Sequence, residues 1–261
     1  MGTTTEMERA GSLLHSVVQG LALRSPAASF PPAPQCPLCG DVGWELVECE
    51  ERGRKISRAR PCICQHARKL IAMARDSGLP ADWLKTHTLN GMEHPTEAYG
   101  AVVDRVSQWL AAYQPHQSGL LLYGPAGSGK TRMMTACLRG LILKRSLPCR
   151  YYDARVFLQL LRNTYNADSD TTEAELVESF VQPHVVALDE LVVPRTDWER
   201  ETMLMLVGER YKANKTLLVA TNLCQEQLRD ELDERLTSRL RAMAEPLHVD
   251  GPDFRQKGSA A

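Results

Sequence analysis

Short apolar runs and longer helical segments alternate through most of the chain. Four runs are too short for helices, at 119–123 (GLLLY), 149–152, 185–188 (VVAL) and 216–220 (TLLVA). Each precedes a segment with helical spacing, and 247–249 is a candidate edge strand. Strands that alternate with helices of this length predict an α/β fold whose five-stranded parallel sheet is covered on both faces.

Sequence signals mark where several of these helices start. The helix expected over 130–145 follows a glycine-rich loop. Thr196 and Glu199, three positions apart, have the capping-box pattern of a second long helix. Two short helices are expected around Leu228 and Leu236.

The chain before residue 79 does not follow this alternation. Residues 1–34 contain an amphipathic stripe and then a Pro/Ala/Ser-rich stretch, which predict a helix and a stiff linker. Residues 35–78 are rich in cysteine and lead into a Gly-Leu-Pro break, and 79–261 form one large predicted domain. The stripe is expected to dock on a partner or to pack on the cysteine-rich segment. It consists of Leu13, Leu14, Val17, Val18 and Leu21.

The composition is that of a globular protein without a dominant charge. The chain has 261 residues, 43% of them hydrophobic, and a formal net charge of −1, so contact with nucleic acid requires a local patch. No run approaches the roughly 18 to 20 apolar residues of a membrane helix. The N-terminus lacks a basic region followed by an apolar core. We expect a cytoplasmic protein without membrane contacts.

A phosphate-binding loop follows the first predicted strand of the large domain. Residues 124–131 read GPAGSGKT and match G-x-x-x-x-G-K-[ST]. Backbone N–H groups and a helix N-terminus bind phosphate oxygens in such a loop. We expect Lys130 to contact the β and γ phosphates of ATP, and the Thr131 hydroxyl to hold Mg²⁺. The predicted nucleotide-binding residues are Gly124, Pro125, Ala126, Gly127, Ser128, Gly129, Lys130, Thr131 and Arg132.

Two carboxylates follow the apolar run at 185–188. Asp189 is expected to hold Mg²⁺ through water, and Glu190 to polarise the attacking water. An Asp-Glu pair after a strand is usually a solvated strand end. Together with the phosphate loop, the pair predicts ATP hydrolysis with Lys130, Asp189 and Glu190 as catalytic residues.

Three later polar residues extend this candidate set. Asn222 follows the run at 216–220, where a polar side chain can orient the hydrolytic water. Arg235 and Arg239 lie four residues apart, on one face of an expected helix. Surface arginines of this kind are most often solvated charges.

The order of these motifs resembles that of AAA+ ATPases, and within them the DnaC/DnaI helicase loaders and the IstB transposition helpers. Residues 197–223 and the closing HVDGPDFR at 248–255 look like segments of the loaders, and the resemblance covers roughly 80–256. It implies that Asn222 is the sensor 1 residue. It also implies that Arg239 is an arginine finger, which acts on a neighbouring subunit and so requires self-association.

The C-terminal part fits the loaders in one further respect. Only 22 residues follow Arg239, too few for the separate helical lid of other AAA+ proteins, which loaders typically lack. This leaves no sensor 2 arginine to propose. No Asn-Lys-x-Asp motif of GTPases and no Leu-Ser-Gly-Gly motif of transporter ATPases is present.

The cysteine-rich segment predicts a structural metal site. Cys36 and Cys39 have zinc-knuckle spacing, and Cys62 and Cys64 supply a tighter second pair. Four thiolates form a closed tetrahedral zinc site, which stabilises a segment with little apolar core. The alternative is a set of free buried cysteines. Cys49 and His66 are reserve ligands.

The resemblance also implies the partners. Loaders carry a cysteine-rich N-terminal region that engages the replicative hexameric DNA helicase, and their ATPase core binds single-stranded DNA. Arg155, Arg162 and Arg195 are candidate DNA contacts in the core. The basic run between the cysteine pairs either tracks a phosphate backbone or is a solvated hairpin. This run consists of Arg52, Arg54, Lys55, Arg58 and Arg60.

Three other functions remain open on the sequence. An IstB-like helper would prefer duplex DNA and deliver it to a transposase. A P-loop kinase would transfer phosphate to a small molecule, with the zinc module purely structural. A non-hydrolysing adaptor would bind nucleotide only to stabilise its fold.

Overall fold

A computed structural model of the protein describes residues 36–51, 54–166 and 169–255. The helix and linker predicted for 1–34, and the basic residue Arg52, lie outside these residues. Within them, no helix is both long and apolar enough to cross a membrane.

The described chain begins with a cysteine-rich turn and a β-hairpin. Strands β1 (Trp44–Glu51) and β2 (Arg54–Pro61) pair antiparallel along their whole length, from Trp44 opposite Pro61 to Glu51 opposite Arg54. Two arginines of β2 form ion pairs with β1, Arg58 with Glu51 at 3.1 Å and Arg60 with Glu45 at 2.5 Å. These cations therefore already have carboxylate partners within the predicted hairpin.

Helix α1 (Ile63–Asp76) leads from the hairpin to the large domain. It starts among the cysteines, and near its end Ala74 is part of the main apolar core. Ser77 is the C-cap of the helix, and Gly78 follows with a left-handed φ of +74°. A short helix, α2 (Ala81–Thr86), comes after Pro80. The predicted break at 78–80 is therefore present.

The rest of the chain alternates strands and helices. In chain order the elements are α3 (Glu97–Ala112), β3 (Gly119–Tyr123), α4 (Lys130–Arg145), β4 (Cys149–Asp153), α5 (Ala154–Asn163), α6 (Glu173–Val181), β5 (Val185–Leu191), α7 (Asp197–Lys212), β6 (Thr216–Thr221), α8 (Gln225–Asp230), α9 (Glu234–Met243) and β7 (Ala244–His248).

Five strands form one parallel sheet in the order β4-β5-β6-β3-β7. The predicted α/β class and the five-stranded parallel sheet are thus confirmed. The edge strand β7 begins at Ala244, three residues before the predicted 247–249, because α9 runs directly into it. Among the described residues no helical lid follows the sheet.

Two apolar layers cover the sheet. One contains α3, α4 and the end of α1, and the other contains α5, α6, α7 and α9. One of the two hydrogen bonds of the predicted capping box is present at the start of α7. The Thr196 hydroxyl accepts the N–H of Glu199, but the Glu199 carboxylate accepts the N–H of Arg195 instead of that of Thr196.

A buried arginine closes the end of the sheet away from the phosphate loop. Arg210 of α7 is fully buried and donates to backbone carbonyls at the end of α6 and at the starts of β5 and β6. Burial lowers the pKa of its guanidinium to about 9. Its acceptors include the carbonyl oxygens of Phe180, Pro183, His184 and Thr216.

Candidate functional site

A cavity of about 430 Å³ opens at the carboxyl ends of β3, β5 and β6. Because β6 lies between β5 and β3, the residues that follow these strands meet at one edge of the sheet. The sequence-predicted residues that line the cavity are Gly127, Gly129, Lys130, Thr131, Arg132, Asp189, Glu190 and Asn222.

The phosphate loop has the conformation that its glycines allow. Gly129 is the N-cap of α4 with a left-handed φ of +92°, and the helix begins at Lys130. A Cβ on Gly124 or Gly127 would overlap the C-terminal segment, at the carbonyl of Val249 and the carboxylate of Asp253. The loop therefore needs glycine for its backbone angles and for its close contact with the end of the chain.

Lys130 lies inside the loop and almost out of solvent. Its ammonium donates to the carbonyl oxygens of Gly124 at 2.8 Å and Pro125 at 2.6 Å. Burial lowers its pKa to about 8, and the nearby Arg255 acts in the same direction, whereas Asp189 acts against them. An anionic ligand would stabilise the charged form of this buried lysine and raise its pKa again.

Asp189 is held by donors on both of its oxygens. The Tyr151 phenol donates to Oδ2 at 2.9 Å, and the backbone N–H of Glu190 donates to Oδ1 at 2.9 Å. Burial, and next the charge of Asp189, raise the pKa of Tyr151, so the phenol stays protonated and remains a donor. Asp189 is buried, and it is the carboxylate that the sequence predicts to hold Mg²⁺.

Glu190 is exposed at the cavity and has an unusual backbone. Its φ of +53° is left-handed, which is uncommon outside glycine. The pairing of β5 with β6 is irregular between Leu188 and Leu191, and Glu190 lies within that irregularity. The turn gives the Glu190 side chain a direction that regular strand alternation would not.

Asn222 stands one residue beyond β6. It is exposed and lines the cavity, whereas the Thr221 hydroxyl is buried and donates to the carbonyl of Leu191 at 2.6 Å. That bond joins the ends of β5 and β6 next to Asn222. The structure thus brings Asn222 to the same cavity as Glu190 and Lys130.

The C-terminal segment supplies two cavity residues that the sequence did not predict, Phe254 and Arg255. After β7, the Val249 N–H donates to the Tyr123 carbonyl at 2.8 Å, so the segment continues alongside β3. Phe254 packs against Tyr99 with ring centroids 5.6 Å apart. The terminal HVDGPDFR was the only signal, and it suggested no role for Arg255.

The remaining wall of the cavity comes from the chain between α2 and α3. His87, Met92 and Tyr99 line it together with Gly91 and Glu93. Burial, and then the positive charge of Arg132, lower the pKa of His87 to about 4, so the imidazole is neutral at physiological pH. This less polar wall fits a nucleobase, since base sites are mostly apolar with few polar groups.

Six predicted residues do not line the cavity. Gly124 and Ser128 are buried in the phosphate loop. Pro125 and Ala126 are exposed on the outer side of the phosphate loop. Arg235 on α9 is exposed, and Arg239, one turn later, is half-buried and donates to the Leu204 carbonyl of α7 at 2.9 Å. Neither arginine lines the nucleotide cavity of its own chain.

The residues of the cavity fit a nucleoside triphosphate with Mg²⁺. Loop N–H groups and the start of α4 suit phosphate oxygens, and Lys130 supplies a cation. The Thr131 hydroxyl and the Asp189 carboxylate are the oxygen ligands that Mg²⁺ prefers.

The four predicted zinc ligands form one cluster. The metal-binding atoms of Cys36, Cys39, Cys62 and Cys64 all lie within 4.8 Å of one another. The Sγ atoms of Cys36 and Cys62 are 3.6 Å apart, and those of Cys39 and Cys64 are 3.4 Å apart. Tetrahedral zinc with bonds of about 2.3 Å sets sulfurs roughly 3.8 Å apart, so this four-cysteine cluster fits the ion.

The protonation of the cluster also favours a cation. Partial burial opposes ionisation of Cys39, yet the Gly43 N–H and the neighbouring thiols lower its pKa to about 7. Burial, and then the neighbouring sulfurs, raise the pKa of Cys64 to about 12. Four thiolates therefore need a metal to coexist. The reserve ligands Cys49 and His66 are not in the cluster.

A second cavity of about 430 Å³ lies between α5, the loop that follows β5, and α7. Arg155 and Arg162, both on α5, and Arg195, more than 30 residues later, all line it and are all exposed. The Arg162 guanidinium lies 4.8 Å from the ring centroid of Trp198, which also lines the cavity. Three cations and an aromatic ring thus share one cleft.

Several solved structures share the fold of this chain. The DnaC helicase loader matches with a TM-score of 0.57 and 20% identity, over 64% of this chain and 98% of that chain. DnaI matches with a TM-score of 0.57 and 20% identity, over 67% and 94%. The replication initiator DnaA bound to AMPPCP and single-stranded DNA matches with a TM-score of 0.54 and 18% identity, over 64% and 50%. These matches show that the core has the AAA+ fold.

Two relatives occur in Bacillus subtilis (strain 168). The uncharacterized protein YqaM is 27% identical over 200 residues, which are 72% of this chain and 62% of YqaM. The phage-like element PBSX protein XkdC is 26% identical over 235 residues, which are 84% of this chain and 82% of XkdC. The match thus spans less than two thirds of YqaM.

A family profile gives the assignment. The profile described as IstB-like ATP binding protein matches residues 63–260, from α1 through the phosphate loop to the C-terminal segment. Because this match covers well over half of the chain, the protein belongs to the family of IstB-like ATP-binding proteins.

Proposed function

We propose that the protein is an ATP-hydrolysing loader that places a replicative hexameric DNA helicase on single-stranded DNA. The observation that carries this proposal is the combination of the four-cysteine cluster with an AAA+ core that has no helical lid among its described residues. The likeness of that core to the DnaC helicase loader and to DnaI supports it.

ATP hydrolysis is the reaction that the cavity residues support. Lys130 would bind the β and γ phosphates, and Asp189 with Thr131 would hold Mg²⁺. The ion would neutralise charge that develops on the ADP leaving group as the γ-phosphoryl is transferred to water. Glu190 accepts a hydrogen bond from the attacking water, and Asn222 orients that water. Arg255 contributes a second cation from the same chain.

The same reaction needs a neighbouring subunit, since Arg239 is the proposed arginine finger. In the isolated chain its guanidinium donates to the Leu204 carbonyl, and assembly would redirect it. Arg235 is exposed one turn earlier and is the alternative finger.

Mixing two inactive variants tests the finger. R239A lacks the finger but keeps Glu190, and E190Q lacks the Glu190 carboxylate but keeps Arg239. Each variant alone therefore loses turnover, R239A by about 10³-fold or more. A mixture restores part of the activity because one subunit supplies the finger to the other. Full activity of a dilute monomer, unaffected by R239A, would reject a finger that acts between subunits. If assembled R239A is fully active and assembled R235A is not, Arg235 has the role.

The DNA-binding surface of this proposal is the cleft of Arg155, Arg162 and Arg195. Cations with an aromatic ring bind the backbone and stack the bases of single strands. Replacing all three arginines by alanine should weaken binding and reduce the salt slope by about 2, at roughly 0.7 per phosphate. R241A, an exposed arginine of α9 outside both cavities, is the control. An unchanged slope in the triple variant would place the DNA elsewhere.

Helicase binding is proposed for the zinc-bound cysteine segment together with the residues before it. Native mass spectrometry of the protein mixed with the replicative helicase of its host, with and without ATP, tests this. We expect a complex with several loader copies per hexamer and one zinc per copy. Absence of a complex under every nucleotide condition would reject the loader function and leave the ATP site intact.

The second candidate is an ATPase that assembles on duplex DNA for a transposase. The family profile, which is described as IstB-like, favours it. Comparing affinity for duplex and single-stranded DNA of equal length separates the two. Preference for duplex supports the transposition helper, and preference for single strands supports the loader.

A further inference from the structure

Tyr151 on β4 bonds directly to a residue of the nucleotide site without lining the cavity itself. Its phenol oxygen donates to Oδ2 of Asp189 at 2.9 Å, and the Glu190 N–H donates to Oδ1 at 2.9 Å. Each oxygen of Asp189 thus has one donor from the protein. Together the two bonds fix the rotation of the carboxylate about its last torsion.

The position of the phenol is itself constrained by the chain from the end of α1 to α2. The Tyr151 N–H donates to the Ser77 carbonyl at 2.7 Å, where α1 ends. The Tyr151 ring meets Trp83 of α2 edge-on, with centroids 5.6 Å apart at 82°. A Cβ on Gly78 would lie 3.0 Å from the Tyr151 carbonyl, so the connection packs closely on β4.

We propose that Tyr151 is a positioning residue that orients Asp189 toward hydrated Mg²⁺ on the bound nucleotide. This inference rests on the proposed ATPase function. A carboxylate that binds Mg²⁺ through water must present its free lone pairs in one direction, and groups hydrogen-bonded to a metal ligand set that direction. Because the connection between α1 and α2 holds Tyr151, the orientation of Asp189 depends on the segment that follows the four-cysteine cluster.

A structural role for the phenol is the competing explanation, since any partly buried hydroxyl needs an acceptor. The adjacent residue provides a matched control. The Tyr152 hydroxyl donates to the Ser179 carbonyl at 3.1 Å, and strand alternation directs Tyr152 to the opposite face of the sheet. Y151F and Y152F therefore each remove one hydroxyl from the same strand, and only Y151F removes a bond to Asp189.

The test is the binding of a fluorescent ATP analogue to the full chain at graded Mg²⁺ concentrations and in Mg²⁺-free buffer. We expect Y151F to need about 10-fold more Mg²⁺ for half-maximal enhancement of binding, with unchanged affinity in Mg²⁺-free buffer. Y152F should match the wild type in both. The thermal midpoints of the two variants show whether loss of a hydroxyl destabilises them equally.

Two outcomes overturn the inference and can be told apart. If the wild type responds to Mg²⁺ and Y151F responds at the same concentrations, Tyr151 has a structural role only and the proposed ATPase stands. If Mg²⁺ does not affect nucleotide binding by the wild type, the proposed function fails, and the inference fails with it.

Discussion

The backbone N–H of Phe254 donates a hydrogen bond to the carbonyl oxygen of Gly127 at 3.1 Å, which joins the C-terminal segment to the phosphate loop. The Arg255 N–H donates to the Asp253 carboxylate at 3.0 Å, and Arg255 lines the nucleotide cavity. The segment occupies space beside the loop that only glycine leaves open. The end of the described chain is therefore part of the nucleotide site.

Replacing Arg255 by alanine should weaken ATP binding. A charge-assisted hydrogen bond contributes about 1.5–3 kcal/mol, which corresponds to roughly 10- to 100-fold in affinity. Isothermal titration calorimetry with ATP and with ADP measures the loss. R241A should bind as the wild type does. If R255A also binds normally, Arg255 does not contact the phosphates.

Nucleotide affinity should fall as pH rises above about 8. The Lys130 pKa is about 8 in the free protein, because burial lowers it. Anionic phosphates favour the charged lysine, so the pKa rises on binding and a proton is taken up above pH 8. Below pH 8 the lysine is charged in both states, and this contribution no longer changes with pH.

Calorimetry at pH 8.5 in buffers with different ionisation enthalpies measures that proton uptake. K130R keeps its charge throughout this range, so it should show none. Equal proton uptake by the wild type and K130R would assign the titration to another group.

Loss of one cluster thiol should abolish zinc binding, whereas loss of the nearby hairpin thiol should not. Cys39 belongs to the cluster, and the Cys49 thiol instead lies 3.6 Å from the Ile56 carbonyl. We expect one zinc per chain in the wild type and in C49S, and none in C39S, by elemental analysis of the purified proteins. Zinc should be released as pH falls, because protons compete for the thiolates. Loss of zinc from C49S as well would mean that the ligand set is wrong.

Replacing Arg210 by methionine should destabilise the fold by about 3 kcal/mol or more. Several buried carbonyl groups would lose their donor at once, and each unsatisfied group costs about 1–3 kcal/mol. Urea unfolding measures the change. K212M, two residues later and exposed, should change the free energy of unfolding by less than about 0.5 kcal/mol. A comparable, small effect in both variants would show that water replaces the Arg210 guanidinium.

Local patterns in the sequence determine the motifs of the candidate sites and several strands of the sheet. The GPAGSGKT loop, Asp189 with Glu190 after an apolar run, and paired cysteines each join neighbouring residues whose chemistry depends on spacing. Short apolar runs were enough to place β3, β5 and β6, because strands buried on both faces are continuously apolar. The four cluster cysteines were predicted from the short spacing within each pair, which lets both thiols of a pair reach one metal ion.

Only the tertiary structure decided which distant residues join these motifs. Tyr151 and Arg255 carry no local pattern, and they reach Asp189 and the phosphate loop because parallel strands end at one edge of the sheet. Strand order likewise placed Asn222 between Glu190 and Lys130. The half-burial of Arg239 against α7 also depends on helix packing, which residue spacing along the chain does not encode.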